Sequence, residues 1–119
     1  MPALFDMSYL KEVSKGNVLF MTEMIQIFLL KTPETLIILE KAIADKDWEN
    51  VGFYAHKLKA TYAYVGMDEM RKILVDIEKS AKNLENVELI YSKYEYLAKS
   101  TQTALGEILQ YKIELESTL

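Results

Sequence analysis

A chain of 119 residues, half of them apolar, is long enough for one domain with one core, and it contains no cysteine. That excludes a disulfide framework, a zinc–thiolate site and thiol catalysis, while four Gly and two Pro argue against a turn-rich β fold. The net charge of −4 argues against nucleic acid as a partner. The segment from Lys57 to Lys82 nevertheless holds six basic residues against four acidic ones. This is either an anion-facing surface or chance clustering on a solvated face.

Asp6 is expected to cap a short first helix over about 6–14, stopped by Ser14-Lys15-Gly16. Asn17 caps the next. Its apolar residues (Leu19, Phe20, Met21, Met24, Ile25, Ile27, Phe28, Leu29, Leu30) cover most of the circumference, as in a helix packed on several sides. Leu36, Leu39 and Ile43 keep helical spacing beyond Pro33, so one kinked helix to about Ala44 is expected. Asp45-Lys46-Asp47 breaks it. Asp47 caps a third helix from Trp48 to about Val65, and Gly66 ends that helix in the left-handed conformation. Asp68 is read as the cap of a fourth helix to about Lys82, and Asn83 to Asn86 as a loop.

The last helix starts near Val87. Ile90, Tyr94, Leu97, Thr101, Ala104, Ile108, Tyr111 and Leu115 follow steps of four and three, the spacing of a bundle seam. The expected fold is all-α: an antiparallel up-down four-helix bundle with a short extra N-terminal helix, one domain over 1–119. A bundle that buries its own seams is expected to be a monomer. The start of the chain lacks a basic n-region, and Glu23 and Gln26 interrupt the apolar run from Val18 to Leu30. The cytoplasm is therefore the expected location.

His56 is the sole histidine. On a helical wheel it lies about 130° from the centre of the face made by Trp48, Val51, Ala55, Leu58, Tyr62 and Val65, so it points outward or to the edge. Its surface neighbours are Gly52, Phe53, Lys59, Ala60 and Ala63. Three of these are Gly or Ala, which leaves room for a partner's surface, and Lys59 offers a cation one turn away. An imidazole in water titrates near pH ~6.5 and keeps a free lone pair at neutral pH. It can attack a phosphoryl group, with an ammonium beside it to neutralise the oxygens. One exposed histidine in a chain of this length also needs no function at all.

The stretch His56-Lys57-Leu58-Lys59-Ala60-Thr61-Tyr62-Ala63-Tyr64-Val65-Gly66 resembles the signature of histidine phosphotransfer (HPt) domains, H-x-L-K-G followed by small residues, an apolar residue and Gly. Phe28, Pro33, Leu36, Leu39 and Ala42-Ile43 upstream are similar to the same family, and the resemblance covers about residues 6–82. It implies that His56 is the phosphorylated residue and that Lys59 stabilises the phosphate. Gly52, Phe53, Lys57, Ala60, Ala63, Tyr64, Glu78 and Lys82 are the residues expected to meet a partner. In the family, polar residues of the helix after the signature can approach the active histidine; Glu78 and Lys82 are the candidates here, against the plainer reading that both are ordinary solvated residues. Ala60 stands where the family usually has Gly, and Tyr62 where a small residue is common; Tyr62 falls on the core side of the wheel and is expected to pack inside.

By resemblance the chain is a phosphorelay intermediate rather than an enzyme. It would accept a phosphoryl group from a receiver-domain aspartate and pass it to another receiver. Its partners would be response-regulator receivers and a hybrid sensor histidine kinase, with the aspartate and the metal on the receiver. The alternative is a helical interaction module that keeps the fold without the transfer. No Glu-x-x-His pair suggests a metal site, no Gly-rich loop suggests nucleotide binding, and His56 lies off the core face where a haem would sit. No cofactor is expected.

Overall fold

Short polar breaks divide the chain into helices whose apolar faces can meet only if neighbours run antiparallel. The computed structural model describes residues 4–119. Residues 1–3, part of the expected domain, lie outside the described residues. The elements are α1 (Ser8–Val13), α2 (Val18–Ala44), α3 (Trp48–Tyr64), α4 (Asp68–Asn83), one 3-10 turn (Val87–Leu89) and α5 (Ile90–Glu116). Helices α2 to α5 form the up-down bundle: α3 packs on α2 and α4, and α5 packs on α4 and back on α2. Among the described residues no helix is long and apolar enough to cross a membrane.

The helix starts follow local chemistry. The Asn17 side chain accepts the Phe20 N–H at 2.9 Å, and Asp47 accepts that of Asn50 at 3.3 Å. Helix α2 runs unbroken through Pro33, as expected. Two expected caps differ. Helix α1 begins at Ser8 rather than Asp6, and the Asp6 carboxylate takes the Ser8 N–H at 2.8 Å and its hydroxyl at 2.6 Å from one residue outside the cap position. Asp68 is the first residue of α4, not its cap; its carboxylate goes to Arg71 at 2.9 Å and Lys72 at 3.4 Å, one turn on. The loop before the last helix uses left-handed Leu84 and Asn86, and a 3-10 turn precedes α5 proper.

Two tyrosines lock the helices in register. Tyr62 is fully buried and lies edge-on to Phe28 with ring centroids 5.7 Å apart. Thr101 donates its hydroxyl proton to the Leu97 carbonyl, so the 2.7 Å contact between Tyr62 and Thr101 has Tyr62 as the donor. Burial drives the Tyr62 phenol well above its usual range despite that bond. Tyr94 donates to the Leu36 carbonyl at 3.0 Å and ties α5 to α2. The α5 seam is buried from Ile90 to Ile108, and Tyr111 and Leu115 are half-buried. The expectation that α2 is packed on several sides fails within the chain. Leu19, Phe20, Ile27 and Leu30 are exposed because only α3 and α5 cover the helix.

Gly66 ends α3 with φ +66°, and a Cβ there would collide with the backbone carbonyl of Asp6. That close approach accompanies the bond from Asp6 N–H to the Val65 carbonyl at 3.0 Å, which pins the N-terminal segment to the turn. Gly66→Ala is expected to lower unfolding stability by at least ~1–2 kcal/mol, the left-handed cost alone. Gly106→Ala, at an open position inside α5, is expected to raise it by about 0.5–1 kcal/mol. Urea unfolding of the two variants beside the parent checks both signs.

Candidate functional site

In α3, Val51, Ala55, Leu58 and Tyr62 are buried, which turns His56 outward with its side chain 66 % exposed. Helix α4 returns beside α3 after the turn at Gly66-Met67. His56 and Glu78 each lie eleven residues from Met67 and are therefore level in this antiparallel pair. Glu78 is buried, and three side chains converge on its carboxylate. His56 Nδ1 lies 2.8 Å from Oε2, Lys59 Nζ 2.8 Å from Oε1 and Lys82 Nζ 2.9 Å from Oε2.

The electrostatics follow from that geometry. Burial alone would raise the Glu78 carboxyl, but hydrogen bonds from Lys59, Lys82 and His56 outweigh it and hold the group at about 2. Glu78 is thus ionised and can only accept. Nδ1 of the imidazole must then carry the proton it shares with Glu78, which leaves the lone pair of the neutral ring on Nε2, at the far and exposed edge. Two ammonium groups against one carboxylate leave the cluster with a positive balance beside that lone pair. Such a site can hold an anionic group next to a nucleophile.

The expected partner-facing residues divide into two groups. Phe53, Lys57, Ala60 and Tyr64 are exposed on α3 beside His56, and Ala63 is half-buried there. Gly52 is not on a free surface. It is buried under α4, and a Cβ there would lie 3.6 Å from Lys82 Cγ and 3.9 Å from Ala81 Cβ. Both are ordinary van der Waals distances, so Ala would fit there, whereas a longer side chain would meet the Lys82 stem on its way to Glu78. Glu78 makes the expected approach to His56, and it is buried beneath the ring rather than facing a partner. The expectation that Gly52 meets a partner is therefore corrected: it faces α4, and a side chain as large as Leu there would pry α4 off α3.

Glu78 approaches His56 as the resemblance implied, and Lys82 reaches it through the same carboxylate; the joint pairing with Lys59 was not expected, although the i,i+4 spacing of Glu78 to Lys82 and its mirror position to His56 about Met67 were signals for it. An apolar hollow of about 410 Å³, lined by Phe28, Leu58, Thr61 and Tyr64 among others, lies between α2 and α3 and includes none of the four cluster residues. Among the described residues no set of three or more His, Asp or Glu side chains converges as metal ligands would.

A family model, the Hpt domain, matches residues 23–110. No curated protein and no solved structure gives a significant match.

Glu78→Gln keeps the shape and removes the charge. Because the Glu78 carboxyl is held at about 2 against an ordinary 4.5, its contribution to stability is complete above pH 4.5 and is lost as pH falls toward 2. The variant is expected to be less stable by about 1–2 kcal/mol at neutral pH, with the difference closing in acid. Urea unfolding across that pH range measures it. Nitrogen-15 spectra of the ring should show the Nδ1–H tautomer alone in the parent and a mixture of tautomers in the variant.

Proposed function

Because the chain belongs to the Hpt domain family, the phosphocarriers of two-component signalling, we propose that it takes a phosphoryl group on Nε2 of His56 from the aspartyl phosphate of one receiver domain and gives it to the aspartate of another. The observation that carries this reading is the 2.8 Å contact of His56 Nδ1 with the buried Glu78 carboxylate. It points the free lone pair outward and places a negative charge behind the ring.

In the transfer, the Nε2 lone pair forms the N–P bond as the P–O bond to the receiver's aspartate breaks, and that aspartate leaves as a carboxylate. No proton has to move. The ring becomes cationic, and Glu78 stabilises the charge through Nδ1–H. Lys59 and Lys82, both within reach of the same carboxylate, neutralise charge on the transferring oxygens. The receiver supplies the acceptor aspartate and its metal, and the chain is a carrier rather than an enzyme acting alone. Phe53, Lys57, Ala60, Ala63 and Tyr64 form the surface that meets the receiver. Upstream, the phosphoryl group comes from a hybrid sensor kinase.

His56→Gln is expected to abolish phosphoryl acceptance while leaving the fold intact, since Lys59 and Lys82 still pair the Glu78 carboxylate and one lost hydrogen bond costs about 1 kcal/mol. Lys59→Ala should slow transfer about tenfold, a loss of roughly 1–2 kcal/mol of transition-state stabilisation at an open site. Ala60→Leu should fold normally and slow transfer by crowding the receiver. The measurement is radiolabel transfer from a phosphorylated receiver, with circular dichroism as the folding control. Acid-labile label on folded His56→Gln would refute the assignment.

A further inference from the structure

Helix α2 presents an apolar stripe that is left exposed among the described residues. Leu19, Phe20, Ile27, Leu30, Ile37 and Ile38 are all exposed, Ile37 at 70 %. At about 100° per residue they fall within an arc of roughly 100°, opposite the buried Met21, Ile25, Phe28 and Leu39. Two rows with a repeat of seven run along the stripe: Phe20, Ile27, Glu34 and Lys41, interleaved with Glu23, Leu30 and Ile37. This is the pattern of a helix–helix seam. The comparable seam on α5 is buried within the bundle; the one on α2 is not.

We infer that α2 pairs with α2 of a second copy, antiparallel about a two-fold axis level with residue 32, forming a homodimer. Ile27 then faces the partner's Ile37, Leu30 faces the partner's Glu34, and Glu23 faces the partner's Lys41, each contact occurring twice by symmetry.

Charge selects this arrangement. A parallel pair would set Glu23, Glu34 and Lys41 each against its own copy. The antiparallel register one heptad away sets Glu23 against Glu34. Only the register proposed joins opposite charges at both ends of the stripe. Glu23 has no ion pair among the described residues, and the Lys41 contact to Asp45 is exposed at 3.4 Å, so both are available. Glu34 brings Lys31 with it at 3.8 Å, and a polar residue in the middle of a seam fixes register. The area is also adequate. A large side chain that is half exposed offers on the order of 100 Å², so six of them with their flanks approach the roughly 800 Å² per partner of a stable interface.

The dimer departs from the monomer expected from sequence, which rests on a bundle burying its own seams and whose weak point is the Tyr94–Leu115 stripe of the last helix rather than α2. His56 sits on the α4 side of α3 and stays open in both copies, so the pairing does not depend on the phosphotransfer reading.

The test is sedimentation velocity of the whole chain over a wide concentration range, with circular dichroism to confirm folding. The parent should show a concentration-dependent dimer and Ile37→Glu only a monomer. Glu23→Lys and Lys41→Glu should each weaken association about tenfold, the scale of 1.4 kcal/mol, and the double exchange should restore it. The chain has no cysteine, so mixing Ile27→Cys with Ile37→Cys should give the mixed disulfide in preference to either symmetric one. A parent that stays monomeric, a dimer that survives Ile37→Glu, a double exchange that fails to restore association, or preference for symmetric disulfides would each overturn the proposal. So would a monomer in which Ile37→Glu slows transfer from a receiver, because the receiver would then be what covers the stripe.

Discussion

An ionised carboxylate can sit between two helices only if its oxygens are paired, because burying an unpaired charge costs far more than a single contact returns. Glu78 meets that condition with donors from both helices: His56 and Lys59 from α3, and Lys82 from α4. The rest of the site follows from it. Helices α3 and α4 must be level at these positions, which the left-handed turn at Gly66 arranges. They must also approach where Lys82 crosses, which a small residue at position 52 permits. The imidazole, held at one nitrogen, loses the freedom to present either edge.

The bundle supplies the rigidity this needs through buried hydroxyls bonded from one helix to another. The chain of hydroxyls from Tyr62 through Thr101 to the Leu97 carbonyl joins α3 to α5. The Tyr94 bond to Leu36 joins α5 to α2. Each has a defined donor and acceptor, so sliding either helix by one turn would leave a buried hydroxyl unpaired at a cost of about 1–3 kcal/mol. These ties fix α3 against the remainder of the bundle, and α3 carries the nucleophile.

Much of this was legible in the sequence, and the misses share a cause. Helix ends marked by Asn17, Asp47 and Gly66 were readable because a cap is a contact within four residues. The outward direction of His56 and the inward one of Tyr62 followed from periodicity within one helix. Asp68 was misplaced by one position because an acidic residue serves equally as a cap or as a first-turn residue paired with Arg71. The resemblance pointed Glu78 and Lys82 toward His56, but the burial of Glu78 and of Gly52 between the helices does not follow from α3 and α4 taken as separate wheels. Only their pairing about Met67 puts Lys82 over Gly52 and Glu78 under His56. The wide apolar arc of α2 was seen, but a wheel cannot say whether the cover comes from the same chain.

The proposed transfer also explains why one carboxylate has more partners than it has oxygens. Before transfer, two ammonium groups and one carboxylate leave a single positive charge beside a neutral ring. A phosphoryl group brings close to two negative charges, and the ring itself becomes cationic. The cluster then comes to about zero rather than to a net negative value. Lys59 and Lys82 can turn toward the phosphoryl oxygens, while the Nδ1 proton, now on a cationic ring, stays with Glu78. The buried carboxylate is therefore never left without a donor in either state. With only one lysine, its turn toward the phosphoryl group would leave the ring as the sole partner of Glu78 and the charged cluster with a net negative balance. With two lysines and the ring, the group can arrive and leave without α3 and α4 having to separate.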